Sequence, residues 1–400
     1  MRTGQLQLFI PGPTNVPDSV RQAMNVPMQD MRASDFGDLT LPLFDRLRGL
    51  FRTRTGQVMM FPGSGTAAWE AAITNTLNPG DRVLMARHGQ FSALWVEMAE
   101  RLGLDVEVID VPWGAGCPVA DFARHLGNDR KDRIRAVFVT HNETATGVTS
   151  DVAAVRRALD ECFHDALLFV DGVSSIASID FRMDDWGVDL AVTGSQKGLM
   201  LPPGLGILAV SEKAMEASRT ATLRRAYFEF SDMVRMNAGG YFPYTPPIPL
   251  LHGLRAALDR IDAEGLDAVI ARHRRLAEGV RRGIAAWGLD LIAAHPSLCS
   301  DTVSAIRVPQ GVDARDVLRI AYDDFHTSFG AGLGPLQGRA FRIGHLGDLN
   351  EAMCLTALSV AEMALLRAGV QLQPGAGVGA AQLWFAGPDR AAARLPLAAE

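Results

Sequence analysis

Two ionisable residues follow two apolar runs of the chain. Asp171 ends the run Ala166-Leu-Leu-Phe-Val170, and Lys197 lies in Gly194-Ser-Gln-Lys197-Gly198, directly after the run Leu190 to Thr193. Either residue alone has an ordinary explanation, since an aspartate can cap a turn and most loop lysines lie at the surface. If the two runs are neighbouring strands of a parallel sheet, both side chains reach one cleft, because ligands bind at the carboxyl ends of such strands.

The lysine has an apolar setting, flanked by glycines and followed by Leu199-Met-Leu-Pro-Pro203. Removal from water lowers the pKa of an ammonium group and favours the free amine that a Schiff base requires. A carboxylate beside it can keep a pyridine nitrogen protonated. Pyridoxal 5'-phosphate (PLP) needs both groups, so the pair predicts a PLP site.

A candidate phosphate site lies in Pro62-Gly-Ser-Gly-Thr66, between the strand predicted at Val58 to Phe61 and the helix predicted at Ala67 to Thr76. Glycines let the backbone approach a ligand, and a helix N-terminus offers free amides and the positive end of its dipole. Ser64 and Thr66 add hydroxyl donors. An ordinary helix cap would use the same residue types, so the motif is open to both interpretations.

Arg342 lies within the apolar stretch Phe341-Arg-Ile-Gly-His345, where we expect its guanidinium to bind an anion. A substrate carboxylate, bound through two parallel hydrogen bonds, is one candidate. An internal ion pair is the alternative, and the sequence does not decide between them.

No metal site is predicted. The histidines have no metal-ligand spacing, so we expect structural hydrogen bonds from them, and the four cysteines include no C-x-x-C pair. A G-x-S-x-G elbow and a Walker loop are also missing. The residues concerned are His88, His141, His345, Cys117, Cys162, Cys299 and Cys354.

The elements that must position these residues alternate between short apolar runs and helical patterns. This alternation predicts an α/β fold, with a mostly parallel central sheet in a large domain and a smaller C-terminal α/β domain. We expect an arm at residues 1–20, the large domain at 21–260, the small domain at 261–382 and a Gly/Ala-rich tail at 383–400. The seven runs predicted as strands of the large domain are Val58 to Phe61, Val83 to Ala86, Val106 to Val111, Ala136 to Thr140, Ala166 to Val170, Leu190 to Thr193 and Gly206 to Val210.

Composition narrows the function. The chain has 400 residues, of which 48% are hydrophobic and 21% charged, with a net charge of −6. This balance argues against nucleic acid as the main partner. No apolar run is long enough to span a membrane, and the first nine residues lack a signal-peptide core. We therefore expect a cytoplasmic protein.

Taken together, the motifs resemble those of class V (fold type I) PLP-dependent aminotransferases, particularly serine–glyoxylate and alanine–glyoxylate aminotransferases. Seven strings carry the resemblance in order along nearly the whole chain. They are Phe-Ile-Pro-Gly-Pro-Thr-Asn from residue 9, Phe-Pro-Gly-Ser-Gly-Thr from 61, His-Asn-Glu-Thr-Ala-Thr-Gly-Val from 141, Val-Asp-Gly-Val-Ser-Ser from 170, Thr-Gly-Ser-Gln-Lys-Gly from 193, Tyr-Thr-Pro from 244 and Phe-Arg-Ile-Gly-His from 341.

The resemblance implies a role for each matching residue. Lys197 would be the Schiff-base lysine and Asp171 the partner of the pyridine nitrogen, with Arg342 binding the substrate α-carboxylate. The other implied contacts are Ser64, Gly65, Thr66 and Gln196 at the phosphate, Thr144 and Phe91 at the ring, Asn15 in the substrate pocket and Thr245 at the phosphate of the neighbouring subunit. The contact from Thr245 would make the protein a homodimer with shared active sites.

The implied reaction transfers the amino group of L-serine to glyoxylate in a ping-pong mechanism, giving hydroxypyruvate and glycine. Aspartate and alanine remain open as donors, because the segment Met31-Arg32-Ala33 departs from the His-Arg-Ser of many relatives. The sequence also leaves open whether Tyr241 or Tyr244 assists Thr245. A cysteine desulfurase is a remote alternative, since Gln196 precedes the lysine and no cysteine lies in the loop 326–337. A non-catalytic protein on this scaffold would be expected to lack Lys197 or Asp171.

Overall fold

The computed structural model describes residues 4–387 as one α/β chain. Its strands are Gln7–Phe9 (β1), Gln57–Gly63 (β2), Arg82–Arg87 (β3), Asp105–Asp110 (β4), Ile134–Thr140 (β5), Asn142–Glu143 (β6), Val148–Thr149 (β7), Leu167–Asp171 (β8), Leu190–Gly194 (β9), Gly204–Val210 (β10), Val303–Arg307 (β11), Thr327–Ala331 (β12) and Ala340–Gly344 (β13). Its α-helices are Asp18–Ala23 (α1), Phe36–Phe51 (α2), Gly65–Thr76 (α3), Gln90–Arg101 (α4), Val119–Asn128 (α5), Val152–Glu161 (α6), Glu212–Ser218 (α7), Phe230–Asn237 (α8), Ile248–Glu264 (α9), Leu266–Ala286 (α10), Ala314–Phe325 (α11), Glu351–Arg367 (α12) and Ala376–Phe385 (α13).

The central sheet has seven strands in the order β2-β10-β9-β8-β5-β3-β4. Strand β10 is antiparallel to both of its neighbours, and all other neighbouring pairs are parallel. Each strand coincides with one of the seven predicted runs. Strands β8 and β9 are buried along their whole length. The predicted mostly parallel sheet is thus confirmed, and the apolar runs of its inner strands reflect cover on both faces.

The order of the strands reverses beside β3. Strand β4 lies on one side of β3, and β5 lies on the other. Helix α4 follows β3, whereas the segment 141–149 follows β5, so the two connections leave the sheet in different directions. An open sheet has a crevice at such a reversal, next to the carboxyl ends of its strands.

A second sheet contains four strands in the order β1-β12-β13-β11. Strand β1 is parallel to β12, and the remaining pairs are antiparallel. Phe9 of β1 packs into the same buried cluster as Phe341 of β13 and Leu358 of α12. The start of the predicted arm therefore belongs to the small sheet. The sequence analysis missed β1 and β12, because neither Gln-Leu-Phe nor Thr-Ser-Phe-Gly-Ala forms an apolar run.

Helix α13 crosses the boundary at residue 382, where the tail was expected to begin. Glu362 of α12, only 4% exposed, fixes the start of α13. Its carboxylate accepts hydrogen bonds from the amides of Gly375 and Gly377 and from Nε1 of Trp287. Gly377 approaches Trp287 so closely that a Cβ atom would lie 2.2 Å from Nε1. The start of the predicted tail, residues 383–385, thus belongs to α13, and residues 388–400 of that tail lie outside the described residues.

We expect Glu362→Ala to destabilise the small domain. The change leaves the Trp287 indole and two amides without their acceptor in a buried site, at a cost of about 3 kcal/mol in the free energy of unfolding. Glu351→Ala on the same helix is a matched control, because that side chain is 44% exposed in its ion pair with Arg275 and should cost at most about 1 kcal/mol. Thermal unfolding compares the two, and equal shifts in midpoint would contradict this account of α13.

Candidate active site

Asp171 and Lys197 meet at the carboxyl ends of neighbouring parallel strands. Asp171 is the last residue of β8, and Lys197 lies in the turn that follows β9. Burial raises the pKa of Asp171 to about 7, although the amide of Val173 donates to its Oδ1 at 2.9 Å and Lys197 opposes the shift. The two groups therefore interact electrostatically in one buried site, as their positions in the sequence predicted.

Lys197 is 9% exposed and lies beneath the N-terminal arm. Burial, reinforced by the positive charge of Arg342, lowers the pKa of its amine to about 8. Nζ donates a hydrogen bond to the carbonyl of Pro11, and a Cβ atom on Gly12 would lie 2.5 Å from Nζ. Thr14 adds a hydrogen bond of 3.3 Å from Oγ1 to the carbonyl of Lys197. The structure thus supplies an amine with an increased tendency to lose its proton, as the apolar sequence context predicted.

The predicted phosphate loop forms the N-terminus of α3. Ser64 is the residue before the first turn, and its side chain makes no capping hydrogen bond. A Cβ atom on Gly65 would lie 2.4 Å from Cγ2 of Val173, so only glycine fits beside the Asp171 turn. Oε1 of Gln196 is buried and has no hydrogen-bond partner among residues 4–387. Thr66 is exposed at the end of the loop. The helix start therefore retains polar groups that an ordinary N-cap would have used.

Arg342 extends from β13 of the small sheet toward the segment after β5. Its Nε donates to the carbonyl of Ala331 at 2.9 Å, and Nη1 donates to the carbonyl of Thr144 at 3.1 Å. It forms no ion pair with any residue from 4 to 387, so the internal ion pair considered for it is wrong. Burial lowers the pKa of the guanidinium to about 10, and the nearby Glu143 partly offsets this effect. A buried cation held by carbonyl groups alone retains the capacity to bind an anion.

The two predicted ring contacts lie on either side of the crevice. Phe91 is in the first turn of α4 and is half-buried. Thr144 is buried and donates from Oγ1 to Oγ of Ser174 at 2.7 Å. Ser174 belongs to the turn after Asp171, so the hydroxyl of Thr144 is tied to the same edge of the sheet as the carboxylate.

Asn15 and Thr245, the remaining predicted contacts, differ in their surroundings. Asn15 donates from Nδ2 to the carbonyl of Leu8 at 2.9 Å, which folds the arm back on itself. Thr245 is exposed between α8 and α9. Within the described part of the chain it has no hydrogen bond to Lys197, Asp171 or the start of α3. The single chain therefore does not bring Thr245 into the site.

The two candidate tyrosines beside Thr245 have different surroundings. The hydroxyl of Tyr241 donates to the carbonyl of Ala33 at 3.1 Å. Tyr244 is 43% exposed and stacks on Tyr227, with ring centroids 4.8 Å apart. Tyr241 thus holds the segment that contains Met31 and Ala33, whereas Tyr244 lies at the surface.

The histidines confirm the structural prediction in two of three cases. His141 contacts Oγ of Ser175 at 2.9 Å, and His345 contacts Oγ of Ser304 at 3.0 Å. His88 is different, because neither of its ring nitrogens has a hydrogen bond within residues 4–387, although Nδ1 is buried. Burial lowers its pKa to about 4, so the ring is neutral near pH 7. Residues 4–387 contain no cluster of side chains able to hold a metal ion and no helix that could cross a membrane.

The sequence analysis gave no role to two residues that border the site, Glu143 and Trp69. Glu143 is fully buried and accepts amide hydrogen bonds from Phe91, Ser92 and Ala145. Trp69 of α3 is 3% exposed, and its Nε1 makes no hydrogen bond within the described chain. The N–H group of its indole nevertheless lowers the pKa of the Asp171 carboxyl. The one available signal for the first was that Glu143 is the sole acidic residue of the stretch 134–148. No spacing in the sequence indicates the second.

Comparisons with known proteins agree with this geometry. The model of the aminotransferase class-V family matches residues 43–323. A serine–glyoxylate aminotransferase from Hyphomicrobium methylovorum is 58% identical over 380 residues, covering 94% of each chain. An L-aspartate–glyoxylate aminotransferase from Paracoccus denitrificans is 54% identical over 380 residues, covering 95% of this chain and 96% of its own.

A solved structure extends the agreement to the fold. The ureidoglycine–glyoxylate aminotransferase of Bacillus subtilis superposes with a TM-score of 0.89 at 27% sequence identity, covering 97% of this chain and all of its own. The sequence motifs, the seven-stranded sheet and the buried Asp171–Lys197 pair thus lead to one conclusion: the chain belongs to the class-V aminotransferase family.

Proposed function

We propose that the protein is a PLP-dependent aminotransferase that moves the amino group of L-serine to glyoxylate. The observation that carries this proposal is the buried pair Asp171 and Lys197, with anion-binding groups on two sides of it. Serine–glyoxylate aminotransferases at 58% and 52% identity support the choice of substrates. The products would be hydroxypyruvate and glycine, formed in two half-reactions.

The donor set fits PLP at each of its polar ends. Lys197 offers an amine whose pKa is lowered to about 8, which suits covalent attachment to an aldehyde. The start of α3, with uncapped Ser64 and close-packed Gly65, has donors available at a helix N-terminus, where phosphate binds well. Gln196 would bind through its amide nitrogen, since its carbonyl oxygen accepts hydrogen bonds and repels an anion.

PLP, when bound, supplies a ring that takes up the electrons left when an amino acid loses its α-proton. The chain supplies the proton transfers and the alignment. Asp171 would hold a proton on the ring nitrogen, and Nζ of Lys197 would remove the α-proton. Arg342 binds the α-carboxylate and thereby sets which bond of the substrate faces Lys197.

The number of buried cationic side chains favours serine over aspartate as the amino donor. Lys197 and Arg342 are the only lysine or arginine side chains that are buried among residues 4–387. Lys197 is needed for covalent attachment, which leaves one guanidinium for one substrate carboxylate. The second carboxylate of aspartate would need a further cation, whereas the hydroxyl of serine needs only a polar contact.

The thiols lend no support to a desulfurase. The loop 326–337 has no cysteine. Burial raises the pKa of the Cys117 and Cys299 thiols, and it raises the pKa of Cys354 to about 12. A raised pKa suppresses the thiolate on which sulfur transfer depends.

We further propose that two subunits complete each other's sites. Thr245 and the exposed stack of Tyr244 on Tyr227 lie outside the site of their own chain. A second copy would bring Thr245 to the phosphate end of the site, assisted by Tyr244, because the hydroxyl of Tyr241 is already bonded to Ala33.

A single lysine should carry the cofactor. The chain has three lysines, and Lys131 and Lys213 are exposed. Incubation with PLP followed by borohydride reduction should label Lys197 alone, as read by peptide mass. Label on either of the other two would refute the proposed anchor.

The rate of that attachment should depend on pH. The amine must be unprotonated to attack, and its pKa in the folded protein is about 8, so the rate should fall about tenfold per pH unit below 8 and level off above it. Stopped-flow absorbance with cofactor-free protein measures the rate. A profile that still rises steeply between pH 9 and 10 would show that the amine keeps its ordinary pKa.

The donor is decided by single half-reactions. L-serine, L-alanine and L-aspartate are each mixed with the PLP-loaded protein, and conversion of the cofactor to its amino form is followed by absorbance. We expect L-serine to react with the highest kcat/KM and to yield hydroxypyruvate, which lactate dehydrogenase or mass spectrometry detects. Faster reaction with L-aspartate would replace serine as the donor, and no reaction with any of the three would refute the proposed function.

The role of Arg342 is tested by its replacement. Arg342→Leu removes the cation for the α-carboxylate and should lower kcat/KM for the amino donor by about 100-fold, the equivalent of roughly 3 kcal/mol. Arg307→Leu is the matched control, because Arg307 lies in the same sheet at the exposed end of β11. Similar losses for both variants would contradict a specific carboxylate site at Arg342.

A further inference from the structure

A single buried carboxylate spans the crevice where the strand order reverses. Glu143 has no exposed surface and follows β5 at the carboxyl edge of the sheet. Its Oε2 accepts from the amides of Ser92 at 2.9 Å and Phe91 at 3.1 Å, on α4. Its Oε1 accepts from the amide of Ala145 at 3.1 Å, in its own turn. One side chain thus joins two segments that leave β3 and β5 in different directions.

The neighbouring residues are shaped around this carboxylate. A Cβ atom on Gly89 would lie 2.2 Å from Cγ of Glu143, so glycine is required for the close approach. Oγ of Ser92 accepts from the amides of Gly89 at 3.0 Å and His88 at 3.1 Å. These contacts satisfy amides that precede α4, whereas the first-turn amides of Phe91 and Ser92 donate to Glu143. Glu143 therefore caps the start of α4 from another strand.

The segments that Glu143 joins carry residues from opposite ends of the proposed site. Phe91 on α4 is the residue proposed to stack on the cofactor ring. Thr144 follows Glu143, and its carbonyl accepts from Nη1 of Arg342 at 3.1 Å. The contact with the ring and the contact with the substrate carboxylate therefore share one support.

Burying a carboxylate for stability alone would be an inefficient use of a glutamate. Removing it from water is costly, and its amide hydrogen bonds offset the cost without an ion pair among the described residues. A neutral side chain can cap a helix equally well. Burial raises the pKa of Glu143, and the amides that donate to it counteract that shift by favouring its charged form. In that form it also favours the charged form of Arg342 across the crevice.

We propose that Glu143 is a positioning residue that fixes the positions of Phe91 and Arg342 relative to each other. By fixing the first turn of α4 against the turn 143–147, it aligns the face on which the cofactor ring rests with the guanidinium that receives the substrate carboxylate. The ring half of this inference rests on the proposed function, whereas the guanidinium half does not.

The test compares two buried glutamates that share their chemistry and differ in place. Glu362 also accepts amide hydrogen bonds at a helix start, but it lies at α13 in the small domain. Glu143→Gln and Glu362→Gln each put an amide –NH2 group against backbone N–H donors. Both should lower the thermal midpoint, so stability alone does not separate them.

Two further measurements do separate them. The first is the binding of glycolate, an unreactive carboxylate resembling glyoxylate, to cofactor-free protein by calorimetry. The second is the visible circular dichroism of bound PLP, which reports the asymmetry of the ring's surroundings. We expect Glu143→Gln to weaken glycolate binding about tenfold and to reduce the dichroism, whereas Glu362→Gln leaves both unchanged.

Phe91→Leu is the reference variant for a change that affects the cofactor ring alone. It should alter the dichroism of bound PLP and leave the affinity for glycolate unchanged, while Glu143→Gln alters both signals. If Glu143→Gln is not obtained folded, Glu143→Asp, which keeps the charge but is too short to reach both segments, is measured in its place and should alter both signals too.

The proposal is overturned if the Glu143 variant loses stability as the Glu362 variant does but keeps both the glycolate affinity and the dichroism of the unaltered protein. Failure of the proposed function is a different result, in which the unaltered protein takes up no PLP. The glycolate titration uses cofactor-free protein, and it therefore decides the link from Glu143 to Arg342 in that case as well.

Discussion

The structure depends on holding an amine and a carboxyl group together away from water. Desolvation acts against both charges, which lowers the pKa of Lys197 to about 8 and raises that of Asp171 to about 7. Each group partly offsets the shift of the other. Such a pair persists only if the backbone around it is rigid, and here it is fixed by neighbouring strands β8 and β9, which are buried throughout. The central sheet is therefore the support that makes the chemistry available.

Much of this arrangement was predictable because it arises from local patterns. A strand covered on both faces is apolar at nearly every position, and this rule accounts for the inner strands of the central sheet. Strand β4 at the edge is only half-buried and has charged residues among its valines. The same rule located Asp171 and Lys197, since each follows such a run. Strand β12 escaped prediction because its Thr-Ser-Phe-Gly-Ala sequence has one large apolar residue. Helix α13 escaped because its glycines suggest a loop until the packing against Trp287 is known.

What the sequence did not reveal depends on distant segments meeting. Two of the amides that donate to Glu143 lie 51 and 52 positions earlier, so the sequence around it does not indicate that it joins two segments. The partner of the Arg342 guanidinium could not be predicted from the sequence either. A buried arginine has two ordinary explanations, and only the absence of a carboxylate partner among residues 4–387 separates them. Thr245 is a further step removed, because its predicted contact requires a second copy of the chain.

The N-terminal arm connects the two halves of the site. Strand β1 pairs with β12, and β12 pairs with β13, which carries Arg342. A few residues later, the carbonyl of Pro11 accepts from Nζ of Lys197. The small sheet is thus linked to the lysine through a short, proline-rich segment with little freedom to stretch. The arm therefore ties the position of Arg342 to that of the backbone that covers Lys197.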